Sequence, residues 1–180
     1  MRPNIFKNFL NDLSISIESS GIGATLLYKN SGCLLYADDL VLITDSKNGL
    51  QKQLNILNEY CTEWCLSVNI SKTKVIIFNK TGKLVQDIFH IENQAIECVT
   101  SYKYLGIMLQ ASGKFTQARK MIYNKAIKGM LKIRKDLSNL NPSINTLLHL
   151  YEHTIQPIAT YGGELWGLGN FTEKSKDSFI

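Results

Sequence analysis

Two aspartates stand side by side at Asp38-Asp39, inside the stretch Leu34-Leu35-Tyr36-Ala37-Asp38-Asp39-Leu40-Val41-Leu42-Ile43. Adjacent carboxylates repel and cost stability unless a cation sits between them. Hard oxygen donors of this kind suit Mg²⁺ or Mn²⁺. The flanking apolar runs have the length of short buried strands, so the pair is expected at the tip of a hairpin. Side chains alternate faces along a strand, but a tip bends that alternation. Both carboxylates then reach one point, or one of them turns back to bond its own backbone, as Asp does in an ordinary turn. Downstream, Lys72 lies in Asn69-x-x-Lys72-Thr73 and Gly106 in Tyr104-Leu105-Gly106. Lys125, Lys128, Lys132 and Lys135 then follow at helical spacing.

The elements that must position these groups are legible in the hydropathy pattern. Ile5, Phe6, Phe9, Leu10 and Leu13 fall at helical spacing, with Asp12 among them and Pro3 suited to a first turn. Ser19-Ser20-Gly21 breaks the pattern, Ala24 to Tyr28 reads as a strand, and Lys29-Asn30-Ser31-Gly32 as its turn into the hairpin. Ser46 is a good N-cap for a helix whose stripe is Leu50, Leu54, Leu57, Cys61 and Trp64. Strands are expected at Val75–Phe78, at Ile88–Glu92 and Ala95–Val99 around a Glu92-Asn93-Gln94 turn, and near Tyr102–Leu109. The last third is helical. Gln117 to Leu137 carries apolar or small residues at 118, 122, 126, 130, 133 and 137. After Asn141-Pro142 a second helix directs Ile144, Leu147, Leu148, Tyr151, Ile155 and Ile158 inward, until Pro157 ends or kinks it. No internal repeat or low-complexity tract is present.

With 180 residues the chain is long enough for one domain or one and a half. A formal net charge of +5 and a pI near 9.0 favour an anionic partner. Lys and Arg crowd the region from Lys72 to Lys135, which locates that preference. The four cysteines, Cys33, Cys61, Cys65 and Cys98, form no C-x-x-C pair and read as buried free thiols of a reducing compartment. Neither a secretory signal nor an apolar run of membrane-spanning length is visible, so the expected location is intracellular, nuclear or cytoplasmic, with no membrane.

Tyr36-Ala37-Asp38-Asp39 between apolar strands resembles the YxDD signature of the reverse transcriptase palm. The order of features strengthens this. A packing helix, Asn69-x-x-Lys72-Thr73, Tyr104-Leu105-Gly106 and the late Tyr161-Gly162-x-Glu164-x-Trp166 follow as in non-LTR (LINE-type) retrotransposon reverse transcriptases. The resemblance runs from about Ile5 to Gly167. It implies an α+β fold, an antiparallel palm-like sheet with a carboxylate hairpin backed by helices and followed by an α-helical thumb. Residues 1–109 would be a partial palm, 110–169 the thumb-like helical region and 170–180 a polar tail. It implies an RNA-directed DNA polymerase that works by two-metal nucleotidyl transfer on Mg²⁺ or Mn²⁺, with an RNA template, a DNA primer and dNTP as partners.

By the same resemblance Asp38 is the first metal ligand and Asp39 the second or its support. Tyr36 and Ala37 would lie against the primer end, and Lys72 would be a general acid or a triphosphate ligand. An ordinary solvated lysine is the alternative at Lys72, while Asn69 and Thr73 shape its turn. Leu105-Gly106 resembles the primer-grip hairpin, although a strand bulge needs a glycine as well. Lys125, Lys128, Lys132 and Lys135, with Lys114, Arg119, Lys120 and Arg134 nearby, would neutralise phosphates of the template–primer duplex; a plain solvated face is the alternative.

One expected feature is missing. No D-x-x-x-(A/S)-F-D-like strand precedes Tyr36, so the first palm aspartate and the fingers are not in this sequence. The chain alone is therefore expected to hold Mg²⁺ weakly and to be inactive. The rival reading is a catalytically dead nucleic-acid-binding remnant. A group II intron or retron enzyme is a weaker one, because Tyr161-Gly162-x-Glu164-x-Trp166 argues against it. His149-Leu150-Tyr151-Glu152-His153 fits the H-x-x-E-H pattern of inverted zinc proteases, but it lies on a helix already explained by its apolar stripe.

Overall fold

The computed structural model describes residues 3–26 and 29–166, with side chains for 11–25 and 31–166. Helices and short strands are mixed along the chain in an α+β arrangement. The strands make four separate small sheets among the described residues, and one pair, β5 with β7, is parallel. The chain divides into two compact units. One holds the described residues up to Val75 together with Val85–Cys98, the other Ile76–Leu84 together with the described residues from Val99 on.

In the first unit, α1 (Pro3–Ser19) buries Leu13 and Ile17 completely. The other positions of its expected stripe, 5, 6, 9 and 10, lie outside the described side chains. β1 (Ala24–Leu26) pairs with β2 (Lys29–Ser31), so the segment read as a turn is itself a strand, with Ala24 opposite Ser31. Tyr28 lies outside the described residues. β3 (Cys33–Tyr36) and β4 (Asp39–Leu42) form the expected hairpin.

α2 (Lys47–Glu63) begins where Ser46 predicts, with the Gly49 N–H donating to Ser46 Oγ at 3.0 Å. Leu54, Leu57 and Cys61 are buried as expected, whereas Trp64 is 40% exposed just past the helix end. Cys65, beyond it, is exposed rather than buried, because the chain has left the helix in a left-handed turn with φ +53. Burial, and secondarily the Glu92 carboxylate, push the Cys61 thiol upward.

The rest of the unit is β5 (Lys74–Val75), β6 (Phe89–Ile91) and β7 (Gln94–Cys98). The Val75–Phe78 strand is shorter than expected. Only Lys74 and Val75 find partners, Glu97 and Cys98, before the chain passes to the other unit.

The second unit contains the hairpin of β8 (Ser101–Tyr104) and β9 (Ile107–Gln110), then α3 (Thr116–Asp136). α3 buries Ala118 and Ala126, but Met130 is 48% exposed. Its place on the inner face is taken by Gly129, where a Cβ would stand 3.0 Å from Ile155 Cδ1. α4 (Ile144–Leu150) continues through a π-helical turn (Tyr151–Ile155) into α5 (Gln156–Thr160). Pro157 lacks the N–H for an i→i−4 bond, and widening the preceding turn accommodates the loss without ending the helix.

The expected inner stripe of that helix largely fails. Ile155 is buried and Ile158 half-buried, while Ile144, Leu147, Leu148 and Tyr151 are exposed. Among the described elements its main packing surface is α3, which meets the π-helical turn and α5 and leaves the rest of the stripe uncovered.

One buried polar group organises the first unit. Gln53 is 0% exposed and its Nε2 donates to Ile22 O at 2.8 Å, Gly32 O at 3.1 Å and Ile43 O at 3.2 Å. Those carbonyls come from the turn after α1, the start of β3 and the end of β4. Gly32 O also accepts from the Ile43 N–H at 2.8 Å, closing the hairpin base. Gln53 Oε1 has no hydrogen-bond partner among the described residues. Replacing the amide with an apolar side chain of similar length, Gln53→Leu, strands the Ile22 and Ile43 carbonyls and is expected to cost about 2–4 kcal/mol. Urea unfolding measures it, and a loss under about 0.5 kcal/mol would show the amide to be incidental.

Candidate nucleotidyl-transfer site

The aspartate hairpin has two unlike faces. Pairing sets Leu34 opposite Val41, Leu35 opposite Leu40 and Tyr36 opposite Asp39. Cys33, Leu35, Leu40 and Leu42 therefore share one face, which is buried at Cys33 and half-buried at the rest. Leu34, Tyr36, Asp39 and Val41 share the other, with Leu34 48% and Tyr36 62% exposed. This outward face thus sets an aromatic ring beside a carboxylate on an apolar strand surface.

The loop between the strands is Ala37-Asp38, two residues. Ala37 sits in the left-handed region with φ +54, a conformation that an alanine holds only at a cost of about 1–2 kcal/mol. Asp38 and Asp39 are both exposed. Neither carboxylate has a hydrogen bond or ion pair among the described residues. Of the two arrangements open in the sequence, the one in which an aspartate turns back onto the backbone is therefore not adopted.

Two adjacent carboxylates without partners match the share a protein supplies to a Mg²⁺-type ion, usually one or two carboxylates with water and substrate phosphates completing the octahedron. No group of three His, Cys, Asp or Glu side chains with metal-holding geometry is present among the described residues.

Lys72 is exposed. Its local turn is built by Asn69. The Lys72 N–H donates to Asn69 Oδ1 at 3.2 Å, the Thr73 hydroxyl to Asn69 O at 2.9 Å and Ser71 Oγ to Asn69 Oδ1 at 2.7 Å. Lys74, two residues on, is held to Glu97 at 2.8 Å. Sequence reasoning missed Gln53, the group that fixes the hairpin's base. The available signal was a polar residue in the middle of the Leu50–Leu54–Leu57 stripe.

In the second unit, Tyr104 pairs with Ile107 around a two-residue loop, Leu105-Gly106. Both loop residues have positive φ, +45 and +81, the pattern of a type I′ hairpin turn. The Tyr161 hydroxyl donates to Leu105 O at 2.7 Å, and a Cβ on Gly106 would stand 3.2 Å from the Tyr161 ring. Gly162, with φ +69, lies where any side chain would collide with Ile107 and Trp166, and the Trp166 ring is 6.0 Å from Phe115. Two motifs more than fifty residues apart thus form one structure, Tyr161-Gly162-x-Glu164-x-Trp166 bracing Tyr104-Leu105-Gly106. Gly167 lies outside the described residues, as does the expected polar tail at 170–180.

Lys125, Lys128, Lys132 and Lys135 are all exposed on α3, as are Lys114, Arg119, Lys120 and Arg134. None of the eight has a carboxylate partner among the described residues. Arg134 and Lys135 occupy the last turn, where they complement the helix dipole. The rings of His149 and His153 lie 4.0 Å apart, and His153 Nδ1 is 3.0 Å from its own helix at His149 O.

A bulky Leu105 at positive φ stores strain at the tip of the second hairpin, where Asn-Gly is the favoured pair. Leu105→Asn is therefore expected to raise thermal stability by about 0.5–1 kcal/mol, read from calorimetry; an equal loss would mean that the leucine side chain packs productively.

Comparisons with known proteins bear on the family of the chain. The family model described as reverse transcriptase (RNA-dependent DNA polymerase) matches residues 1–109. A Drosophila melanogaster protein described as a probable RNA-directed DNA polymerase from transposon BS is 30% identical over 141 residues, 74% of this chain and 16% of that protein. The RNA-directed DNA polymerase from mobile element jockey, also of Drosophila melanogaster, is 25% identical across 74% of this chain and 15% of its own length. A transposon-derived protein of Caenorhabditis elegans is 27% identical across 77% of this chain and 50% of its own. The chain spans half or less of the length of each of these relatives. With 109 of its 180 residues matched by the family model and transposon polymerases among its relatives, the chain belongs to the reverse transcriptase (RNA-dependent DNA polymerase) family, in its non-LTR retrotransposon branch.

Proposed function

We propose that this chain is the part of a retrotransposon RNA-directed DNA polymerase that carries the carboxylate hairpin of the palm (residues 1–109) and the thumb (110–169). The observation that carries the reading is the pair of carboxylates, Asp38 and Asp39, without a partner among the described residues on an exposed hairpin tip in a chain of this family. Asp38, in the loop, and Asp39, on the strand beside Tyr36, would hold Mg²⁺ or Mn²⁺. When bound, the cations lower the pKa of a primer hydroxyl and neutralise charge on the leaving pyrophosphate.

The chain's own residues then bind and orient. The Tyr36 ring supports the primer sugar, and the small Ala37 lets the chain approach it. Lys72 supplies a proton or a positive charge to the leaving group. Leu105-Gly106 and the α3 lysines contact phosphates of the RNA template and DNA primer without reading sequence. The incoming dNTP completes the site together with a third carboxylate and a fingers region that this sequence does not contain.

A second reading, a catalytically dead nucleic-acid-binding remnant, is favoured by the lack of a third acidic group near the pair among the described residues. The reading frame that precedes residue 1 separates the two. An in-frame fingers and front palm supports the polymerase, and a stop codon supports the remnant.

Three outcomes are expected. The purified chain incorporates no nucleotide on a primed template, and measured incorporation would overturn the ligand count. Mn²⁺ selectively broadens backbone NMR signals of the Asp38–Asp39 tip; Asp38→Asn with Asp39→Asn abolishes the broadening while changing unfolding free energy by less than about 0.5 kcal/mol. Replacing Lys125, Lys128, Lys132 and Lys135 with alanine lowers the slope of log Kobs against log salt for an RNA·DNA duplex by about 3. An unchanged slope would make that face ordinary solvated surface.

A further inference from the structure

We infer that Tyr161 is a positioning residue for nucleic-acid binding: its hydroxyl fixes the Leu105–Gly106 peptide so that the Gly106 N–H presents itself to a backbone phosphate. This rests on the nucleic-acid reading above and extends it to a group outside both hairpins.

The peptide unit is planar and trans, so its carbonyl and its N–H point in opposite directions. Tyr161 Oη binds the Leu105 carbonyl at 2.7 Å, which sets the direction of the Gly106 N–H on the far side of the same plane. That N–H has no acceptor among the described residues, and Leu105 and Gly106 are both exposed. A free backbone donor on a protruding turn, held in one orientation, suits an anionic oxygen.

Glycine is required at 106 on two counts. Its φ is +81, and a Cβ would press within 3.2 Å of the Tyr161 ring. The Tyr161 ring alone already supports the turn by packing. An exposed Leu105 carbonyl would otherwise be solvated, so the hydroxyl adds little to folding. Its contribution is to restrict the rotation of one peptide plane, which reduces what binding must order. The unpaired cations on α3 belong to the same unit and supply the non-directional part of such binding.

The experiment compares wild type with Tyr161→Phe, which keeps the ring against Gly106 and removes only the hydroxyl. Binding to a fluorescent RNA·DNA duplex is followed by anisotropy across a salt series, then repeated with single methylphosphonates placed along the DNA strand. Wild type is expected to lose affinity sharply at one phosphate position. Tyr161→Phe is expected to bind about 5-fold more weakly, with an unchanged salt slope because no charge is removed, and to lose its sensitivity at that position. Wild-type affinity in Tyr161→Phe, or an identical methylphosphonate profile, overturns the positioning role and leaves the proposed function standing. Absence of salt-dependent duplex binding by wild type overturns the proposed function itself, and the positioning role with it.

Discussion

A buried amide holds the hairpin that carries the aspartates. Strand side chains repeat every two residues, so a one-residue slip between β3 and β4 would set Asp39 and Tyr36 on opposite faces and bring Leu40 onto the face of Tyr36. The hydrophobic pattern resists that slip only weakly here, because apolar residues occupy both faces of the ladder: Leu34 and Val41 on one, Leu35 and Leu40 on the other. Gln53 supplies the missing constraint. By bonding Gly32 O and Ile43 O together, and Ile22 O with them, it fixes which residues stand opposite at the base, and the ladder transmits that choice to the tip. Three acceptors share two N–H groups while Oε1 has no partner among the described residues, so the arrangement is costly as well as specific.

Both hairpins of the proposed site concentrate backbone strain at their tips. Ala37 and Leu105 occupy left-handed φ values that ordinary residues avoid, and each sits next to the residue proposed to meet substrate or nucleic acid. Strain of this kind persists only where the surroundings over-determine it. In the first unit the surroundings are the ladder and its Gln53 base. In the second they are Tyr161, Gly162 and Trp166, packed behind the Leu105-Gly106 turn.

The two units differ in how thoroughly they bury their apolar residues. The first has a continuous set of large buried side chains, among them Leu13, Ile17, Leu54, Leu57, Phe89, Ile91 and Ile96. The second buries Ile107 and Ile155 along with small alanines, while Leu131, Leu140, Ile144 and Leu148 stay exposed. Its rigidity therefore comes less from core volume than from specific contacts, such as glycines that admit Ile155 and Trp166 closely.

The sequence by itself determined the local elements and the chemistry they carry. The Ser46 cap, the α2 stripe, the apolar flanks of Asp38-Asp39 and the helical last third are all readable because capping and periodicity are short-range properties of the chain. The adjacency of the carboxylates and the order of motifs also carried the family. Other features depended on contacts distant in sequence, which periodicity does not encode. β2 became a strand only because β1 was there to pair with it, and the 75–78 strand was cut to two residues by what β7 offered. The helix after Asn141 was amphipathic in sequence, yet its stripe is largely exposed because burial requires a partner surface. The contacts of Gln53 and Tyr161 were likewise decided by tertiary structure. A hydrogen bond from a side chain to a remote carbonyl is fixed by where the backbone passes, and residue type alone does not say which carbonyl that will be.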